Sequence, residues 1–154
     1  AWARVAQQVP DWKIVIVGSG EDELMLKQMA KDFEVDDSII FAGQQKNMDT
    51  FYRQASFFCM TSRFEGLPMV LLEAQAFGVP IITFECGHGV NKIVKNSYNG
   101  YVVKNRDKKI FCQTLADYMN LSEEMLNTLS KNSNTVASDY EIGQIRELWV
   151  GLLK

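Results

Sequence analysis

The sequence predicts an α/β domain built around a doubly wound parallel sheet. Short runs of β-branched and other apolar residues alternate with longer segments of helical periodicity, and the loops between them are short. Such runs are typical of strands buried on both faces, as they are when helices cover a parallel sheet. No linker, low-complexity tract or internal repeat interrupts the alternation. Residues 1–154 are therefore predicted to form one domain.

The elements are predicted in chain order from these local patterns. The first helix stops at Pro10, because proline cannot continue a helix. Residues 21–33 are helical because apolar residues recur at helical spacing, namely Leu24, Met25, Met29 and Phe33. Strands are predicted at residues 13–17, 38–41, 57–60, 81–84 and 100–103. Helices are predicted at residues 2–9, 21–33, 47–54, 69–77, 90–95, 107–120, 122–137 and 142–153.

The segment from Ser62 to Pro80 carries two glutamates beside a predicted helix start. Pro68 suits the first turn of a helix and Gly78 its end, so the apolar residues between them are predicted to be helical and buried on most sides. Glu73 lies inside this helix, where a carboxylate is costly unless it is paired, hydrogen-bonded or facing a polar cleft. Glu65 precedes the helix on a glycine-bearing loop. These features together predict a binding site.

The start of this helix is predicted to attract an anion. No acidic side chain occupies its first turn, so the amides of Met69, Val70 and Leu71 are expected to be free. Unpaired amides and the helix dipole both favour a negatively charged ligand at such a position.

The sequence Gly18-Ser19-Gly20 follows the first predicted strand but does not predict a dinucleotide site. The fingerprint of such sites needs a third glycine where this chain has Glu23. Acidic residues also crowd the start of the following helix and would repel a pyrophosphate. The two glycines are expected to permit a tight turn, with Gly18 close to a ligand as the further possibility.

The candidate residues are predicted to meet at one edge of the sheet. In a parallel sheet of this kind, ligands bind beyond the carboxyl ends of the strands. Glu65, Gly18, Gly43 and the loop 85–89 each follow a predicted strand and are expected to line the same cleft.

Bulk properties narrow the class of protein without selecting it. The net charge is −3 and no basic cluster appears, which argues against nucleic acid as a partner. The stretch Lys104 to Lys109 is interpreted as a solvated helix start. Three unclustered cysteines favour a reducing compartment, and no apolar run is long enough to span a bilayer. A cytoplasmic location is therefore expected, and membrane contact is not evident in this part of the protein. No acidic metal-binding pair is evident either, so neither a metal ion nor a cofactor is expected.

The motifs together resemble those of a known family of enzymes. VIVGSG, IFAG, FYRQAS, MTSRFEG and YNGYVV follow one another in the order and spacing found in the glycosyl transferases group 1, which are retaining enzymes with the two-lobed GT-B fold. The match covers nearly the whole chain. It implies the Rossmann-like C-terminal half of a GT-B glycosyltransferase, which binds a nucleotide-diphosphate sugar and acts in polysaccharide biosynthesis.

The resemblance also implies roles for individual residues. Glu65 is the candidate catalytic residue and would hold hydroxyls of the donor sugar, and Glu73 would accept hydrogen bonds from the ribose. The donor sugar and diphosphate are expected to meet Glu65, Gly66, Leu67, Pro68, Met69, Val70 and Leu71. The vicinity of the nucleotide would include Gly18, Gly43, Gln44, Gly87, His88 and Gly89. A turn role for Gly43 and Gln44, and a plain surface role for His88, stay open as alternatives.

By the same resemblance, the chain is expected to be a lobe truncated before its first strand. The N-terminal acceptor lobe and a cationic pair for the diphosphate would then be missing, so the 154 residues alone are not expected to catalyse transfer. The missing strand would lie between those at Lys13 and Phe57 and leave two open edges. Either the gap closes, or strand-completing self-association supplies a strand, or the chain is only marginally stable, and some form of compensation is the expectation.

Two alternatives from other classes stay open. One is half of a GT-B sugar-nucleotide epimerase, which would need acidic and histidine residues in both lobes, whereas this chain has one histidine. The other is a non-catalytic, flavodoxin-like interaction module in which both glutamates are structural.

Overall fold

The computed structural model describes residues 1–153, which form strands and helices in alternation. The strands are β1 (Ile14–Val17), β2 (Ile39–Gly43), β3 (Phe58–Met60), β4 (Ile81–Phe84) and β5 (Gly100–Val103). The helices are α1 (Trp2–Val5), α2 (Glu23–Asp32), α3 (Asp49–Gln54), α4 (Met69–Ala76), α5 (His88–Ile93), α6 (Lys108–Met119), α7 (Glu123–Ser138) and α8 (Ile142–Leu152). Short 3-10 turns lie at Ala6–Gln8, Asp36–Ser38 and Lys104–Arg106.

Two compact units make up the chain. Unit 1 consists of residues 1–48 and 108–120, and unit 2 of residues 49–107 and 121 onward. Each is described by itself below, and the single domain over residues 1–154 stays a prediction.

Unit 1 is built on two parallel strands. β1 and β2 pair from Ile14 opposite Ile39, with an irregularity before Val17 meets Gly43. α1 packs on α6. The predicted apolar stripe of α2 is largely open to solvent, with its members between 43% and 81% exposed: Leu24, Met25, Met29 and Phe33.

Unit 2 contains the other sheet and the larger core. β4 lies in the middle, paired in parallel with β3 on one side and β5 on the other, and all its residues are buried. α4 packs on α7. Gly78 follows α4 with a φ of 72°, and a Cβ there would lie 2.7 Å from Ser130 Oγ. The predicted role of Gly78 in ending the helix is therefore confirmed.

The strands form two separate parallel sheets within residues 1–153. Among the described strands, β1 has β2 as its one neighbour and β3 has β4 as its one neighbour. Because β1 and β3 belong to different units, the missing strand between them, the completion of the sheet edges and any self-association stay predictions.

Most predicted elements are confirmed, and β4 and β5 match residue for residue. Other ends shift by one or two residues, and the first helix gives way to a 3-10 turn after Val5. α4 is buried on one side rather than on most sides, because Met69, Val70, Glu73 and Ala76 are exposed. Among the described residues, no helix is long and apolar enough to cross a membrane.

Candidate functional site

The loop between β3 and α4 is held to the loop after β4 by main-chain contacts. The Glu65 amide donates a hydrogen bond to the carbonyl oxygen of Cys86 at 2.8 Å. Gly87 has a φ of 138°, and a Cβ at this position would overlap the carbonyl oxygen of Glu65. A Cβ at Gly89 would overlap the carbonyl oxygen of Gly66. Only glycines therefore allow these two loops to lie so close together.

Arg106 holds the same loop from the end of β5. Its Nη1 donates to the Ser62 carbonyl oxygen at 2.6 Å, and its Nη2 donates to the Thr61 carbonyl oxygen at 3.0 Å. The guanidinium lies over the Phe84 ring, 4.8 Å from the ring centroid. The stretch Lys104 to Lys109 is exposed and leads into α6, as predicted for a solvated helix start, but the contacts of Arg106 were not predicted.

The charges of Glu65 and Arg106 act on a common neighbour. Burial raises the pKa of the Cys86 thiol above its ordinary value, and the negative charge of Glu65 raises this pKa further. The positive charge of Arg106 acts on the same pKa in the opposite direction. The Glu65 carboxylate and the Arg106 guanidinium are therefore both close enough to the Cys86 thiol to change its pKa.

α4 begins directly after this loop and presents an open end. Pro68 precedes its first residue with a φ of −74°. The amides of Met69 and Val70 have no intrahelical acceptor, because the helix offers no earlier carbonyl. The Leu71 amide is not free as expected, since it donates to the Pro68 carbonyl oxygen at 3.0 Å. Met69 is 56% exposed and Val70 41% exposed, so solvent reaches the helix start.

Glu73 lies on the exposed side of α4 and has a partner. Met69 is four residues earlier and Val70 three residues earlier, which puts all three on one face of the helix. The Tyr52 hydroxyl donates to Glu73 Oε2 at 3.2 Å. Burial raises the pKa of Tyr52 to about 12, and the negative charge and hydrogen bond of Glu73 contribute to the rise. Tyr52 therefore stays a neutral donor to this carboxylate at ordinary pH.

Aromatic packing fixes the position of the Tyr52 hydroxyl. Its ring stacks on Phe77 with 5.6 Å between centroids and meets Phe58 at 6.2 Å. Because Tyr52 is 5% exposed, its side chain has little freedom to turn away from Glu73.

Comparison with known proteins identifies the family. Residues 1–136 match the glycosyl transferases group 1. The chain belongs to this family.

Among its relatives are two bacterial proteins. An uncharacterized glycosyltransferase of Haemophilus influenzae is 36% identical over 152 residues. The amylovoran biosynthesis glycosyltransferase AmsD of Erwinia amylovora is 32% identical over 152 residues. Each alignment covers 99% of this chain but 43% and 42% of the respective relative, so the chain spans less than half of their length.

A solved structure defines the fold class. The pneumococcal O-GlcNAc transferase GtfA, solved in complex with UDP and GlcNAc, superposes with a TM-score of 0.86 at 21% identity. The match covers 97% of this chain and 30% of that one. The fold is that of the Rossmann-like C-terminal lobe of a GT-B glycosyltransferase, which confirms the resemblance seen in the motifs.

The predicted site residues of this glycosyltransferase lobe fall into two groups. Unit 2 brings together the Glu65 loop, the start of α4 and the loop of Gly87 and Gly89. His88 is the exposed first residue of α5, consistent with either of its two interpretations.

In unit 1, the Gly18 amide donates to the Gly43 carbonyl oxygen at 2.8 Å. Gln44 is exposed just after β2. Gly18 and Gly20 line a shallow cavity together with the acidic residues that follow them. The roles of Gly18, Gly43 and Gln44 toward a nucleotide stay predictions.

Two residues of the site were missed in the sequence. Tyr52 lies 21 positions before its partner Glu73, and Arg106 lies 44 positions after Ser62. Tyr52 occurs in the family motif FYRQAS, which indicated the family but assigned no role to Tyr52. No sequence signal identified Arg106, because its contacts depend on the packing of β5 beside β4.

Proposed function

We propose that this chain is the donor-binding half of a retaining glycosyltransferase. The enzyme would transfer a hexosyl group from a nucleotide-diphosphate sugar to an acceptor bound by an N-terminal lobe. The observation that carries this proposal is an exposed helix start, with two amides that lack intrahelical acceptors, directly after a loop whose main chain at Glu65 and Gly66 is held by glycine contacts.

The start of α4 is suited to the diphosphate. The amides of Met69 and Val70 and the positive end of the helix dipole are fixed by the fold before a ligand arrives. When the bond between the sugar and the diphosphate breaks, its electron pair stays on the departing phosphate oxygen. Preorganised donors stabilise charge that develops there, because they need no reorganisation during the reaction.

Glu73 is suited to the ribose. Its carboxylate has several acceptor positions, and the Tyr52 hydroxyl occupies one of them at Oε2. Tyr52 therefore orients the carboxylate, and its other acceptor positions serve ribose hydroxyls. A carboxylate acceptor discriminates strongly for hydroxyl groups, since a ligand without them leaves the charge unpaired.

Glu65 is suited to the sugar and is the candidate catalytic residue. Its main chain is held by Cys86, Gly87 and, through Gly66, by Gly89. A half-buried carboxylate on such a fixed loop accepts hydrogen bonds from sugar hydroxyls in a defined orientation.

The relatives indicate which ligands to test first and in which process the enzyme would act. The pneumococcal enzyme was solved with UDP and GlcNAc, so UDP and its sugars are the first ligands to test. The name of AmsD supports a role in polysaccharide biosynthesis. The three free cysteines support a cytoplasmic location.

Calorimetric titration of the chain with UDP, GDP and their sugars tests the proposal. Saturable binding is expected, and Glu73→Ala should weaken it about 10- to 100-fold because a charged acceptor is lost. Glu147→Ala, which removes an exposed carboxylate on α8, is the matched control and should bind as the parent does.

The other outcomes distinguish the alternatives. Binding that Glu73→Ala leaves unchanged contradicts the ribose role. Absence of saturable binding by every nucleotide contradicts the proposal for this chain on its own, and it fits both a truncated lobe and the non-catalytic interaction module. Conversion of a sugar nucleotide into its epimer by the full-length protein favours the epimerase.

A further inference from the structure

Arg106 makes an unusual set of contacts for an exposed side chain. Both outer nitrogens of its guanidinium donate to consecutive carbonyl oxygens, those of Thr61 and Ser62. One face of the group also lies over the Phe84 ring. A planar guanidinium matches two acceptors and an aromatic face at once, which lysine cannot do.

The backbone at Arg106 favours glycine rather than arginine. Asn105 has a φ of 54° and Arg106 a φ of 51°, in the left-handed region that is costly for residues with a Cβ. A strained conformation persists where the surrounding structure holds it. Here the contacts of the side chain with Thr61, Ser62 and Phe84 are the interactions that offset the strain.

The loop that Arg106 holds has few other restraints. Phe64 is 83% exposed, and Thr61, Arg63 and Gly66 are also exposed, so apolar burial does not fix the loop. Its restraints are polar and glycine-dependent: the Glu65 amide bonded to Cys86, the glycine contacts, and Arg106. Arg106 acts on the residues that leave β3, three and four positions before Glu65.

We propose that Arg106 is a positioning residue that sets the Glu65 loop for recognition of the donor sugar. The inference rests on the proposed function, in which Glu65 holds sugar hydroxyls. Arg106 does this by fixing the main chain at Thr61 and Ser62, without touching the donor. The nucleotide part of the donor is bound by α4, which Arg106 does not hold. Loss of Arg106 therefore reduces affinity for the sugar portion and spares the nucleotide portion.

The experiment compares nucleotide sugars with UDP alone. Arg106→Gly removes the contacts of the guanidinium. Because glycine adopts the left-handed conformation without strain, no uncompensated backbone strain is added to that loss. Arg106→Lys keeps the charge but not the two-pronged geometry. Lys104→Ala, on the same 3-10 turn, is the control for loss of an exposed positive charge. Each is titrated with UDP, UDP-glucose, UDP-galactose and UDP-GlcNAc, and melting temperatures are recorded.

For Arg106→Gly, affinity for the best-bound UDP-sugar is expected to fall about tenfold, since a small displacement of a positioned group has effects of this order or larger. Affinity for UDP is expected to change less than about twofold, well under the tenfold that corresponds to 1.4 kcal/mol. The affinity of Arg106→Lys for the UDP-sugar should lie between those of the parent and of Arg106→Gly. Lys104→Ala should bind as the parent does. Equal losses for UDP and UDP-sugar, or no loss for either, overturn the proposal.

A second measurement reads the loop without any ligand. Trypsin cleaves after Arg63, which is exposed within this loop, so the cleavage rate at this bond reports how firmly the loop is held. Arg106→Gly should raise that rate several-fold, and Lys104→Ala should not. An unchanged rate overturns the positioning role whatever the nucleotides do. If the loop loosens but the parent chain binds no nucleotide, the proposed function fails and the role of Arg106 in donor recognition fails with it.

Discussion

Two fully buried amides in unit 2 are expected to respond to replacement in opposite directions. Gln75 Nε2 lies 3.5 Å from the Ile93 carbonyl oxygen, and Gln75 Oε1 has no hydrogen-bond partner among the described residues. Asn99 is fully satisfied by comparison. Its Nδ2 donates to the same carbonyl at 2.8 Å, and its Oδ1 accepts from the Lys95 amide at 2.7 Å.

The magnitude follows from the groups that each change leaves behind. Gln75→Met removes an unpaired oxygen and one bond at the limit of hydrogen-bond length, while Ile93 keeps its bond from Asn99. An unsatisfied buried polar group costs about 1–3 kcal/mol. The free energy of unfolding should therefore rise by about 1–2 kcal/mol, which corresponds to a melting temperature about 2–6 °C higher for a chain of this size.

Asn99→Leu is the matched contrast. It leaves the Lys95 amide without its acceptor, so the free energy of unfolding should fall by about 2–3 kcal/mol. Urea and thermal denaturation of the full chain, followed by circular dichroism, measure both variants. If Gln75→Met lowers the free energy of unfolding by more than about 1 kcal/mol, the Gln75 amide makes stabilising hydrogen bonds, and the reasoning from the unpaired oxygen is refuted.

Two further outcomes are expected. Gly89→Ala should lower stability by about 2–3 kcal/mol and weaken nucleotide-sugar binding, because its Cβ would overlap Gly66. Gly20→Ala, with open space around it, should be close to neutral in thermal denaturation, and similar results for the two variants would contradict the packing argument. The folded chain holds the Tyr52 proton up to pH about 12, whereas the unfolded chain loses it near pH 10.0. The contribution of this proton to the free energy of unfolding is therefore fully present below pH 10.0 and is lost as the pH rises to about 12. Two pKa units correspond to about 2–3 kcal/mol, and urea denaturation across this range should show that extra slope in the parent but not in Tyr52→Phe.

The fold of this lobe was largely predictable because its strands are short apolar runs, and β4 is buried throughout. β4 is an unbroken apolar run apart from Thr83. Pro80 precedes β4 and Gly100 opens β5, so the starts of both strands were visible in the sequence, and the charged residues Glu85 and Lys104 follow them. Helix ends were less certain. The first helix narrows into a 3-10 turn that no residue preference distinguishes from an α-helix.

Periodicity predicts which face of a helix is apolar but not what covers that face. α2 has its apolar residues at helical spacing, and its members are exposed, with Leu24 at 81%. α8 likewise has no buried residue, and Ile142 and Trp149 are largely exposed. α4 presents the opposite case. It is apolar all round, so the pattern predicted burial, and only the packing on α7 decided that Glu73 lies on the open side.

The glycines around His88 illustrate what sequence reasoning about a site can and cannot reach. Two glycines flanking one residue indicate that main chain comes close to something, and the sequence interpretation gave a ligand as one possibility beside a plain surface role for His88. In the structure, the close neighbours of Gly87 and Gly89 are the carbonyl oxygens of Glu65 and Gly66. The glycines therefore act one step earlier than binding. They let one loop lie close against another, and that contact, with the hydrogen bond from the Glu65 amide to Cys86, fixes the main chain of Glu65 in the loop that leads into α4. A side chain at either glycine would move Glu65 before any ligand arrived.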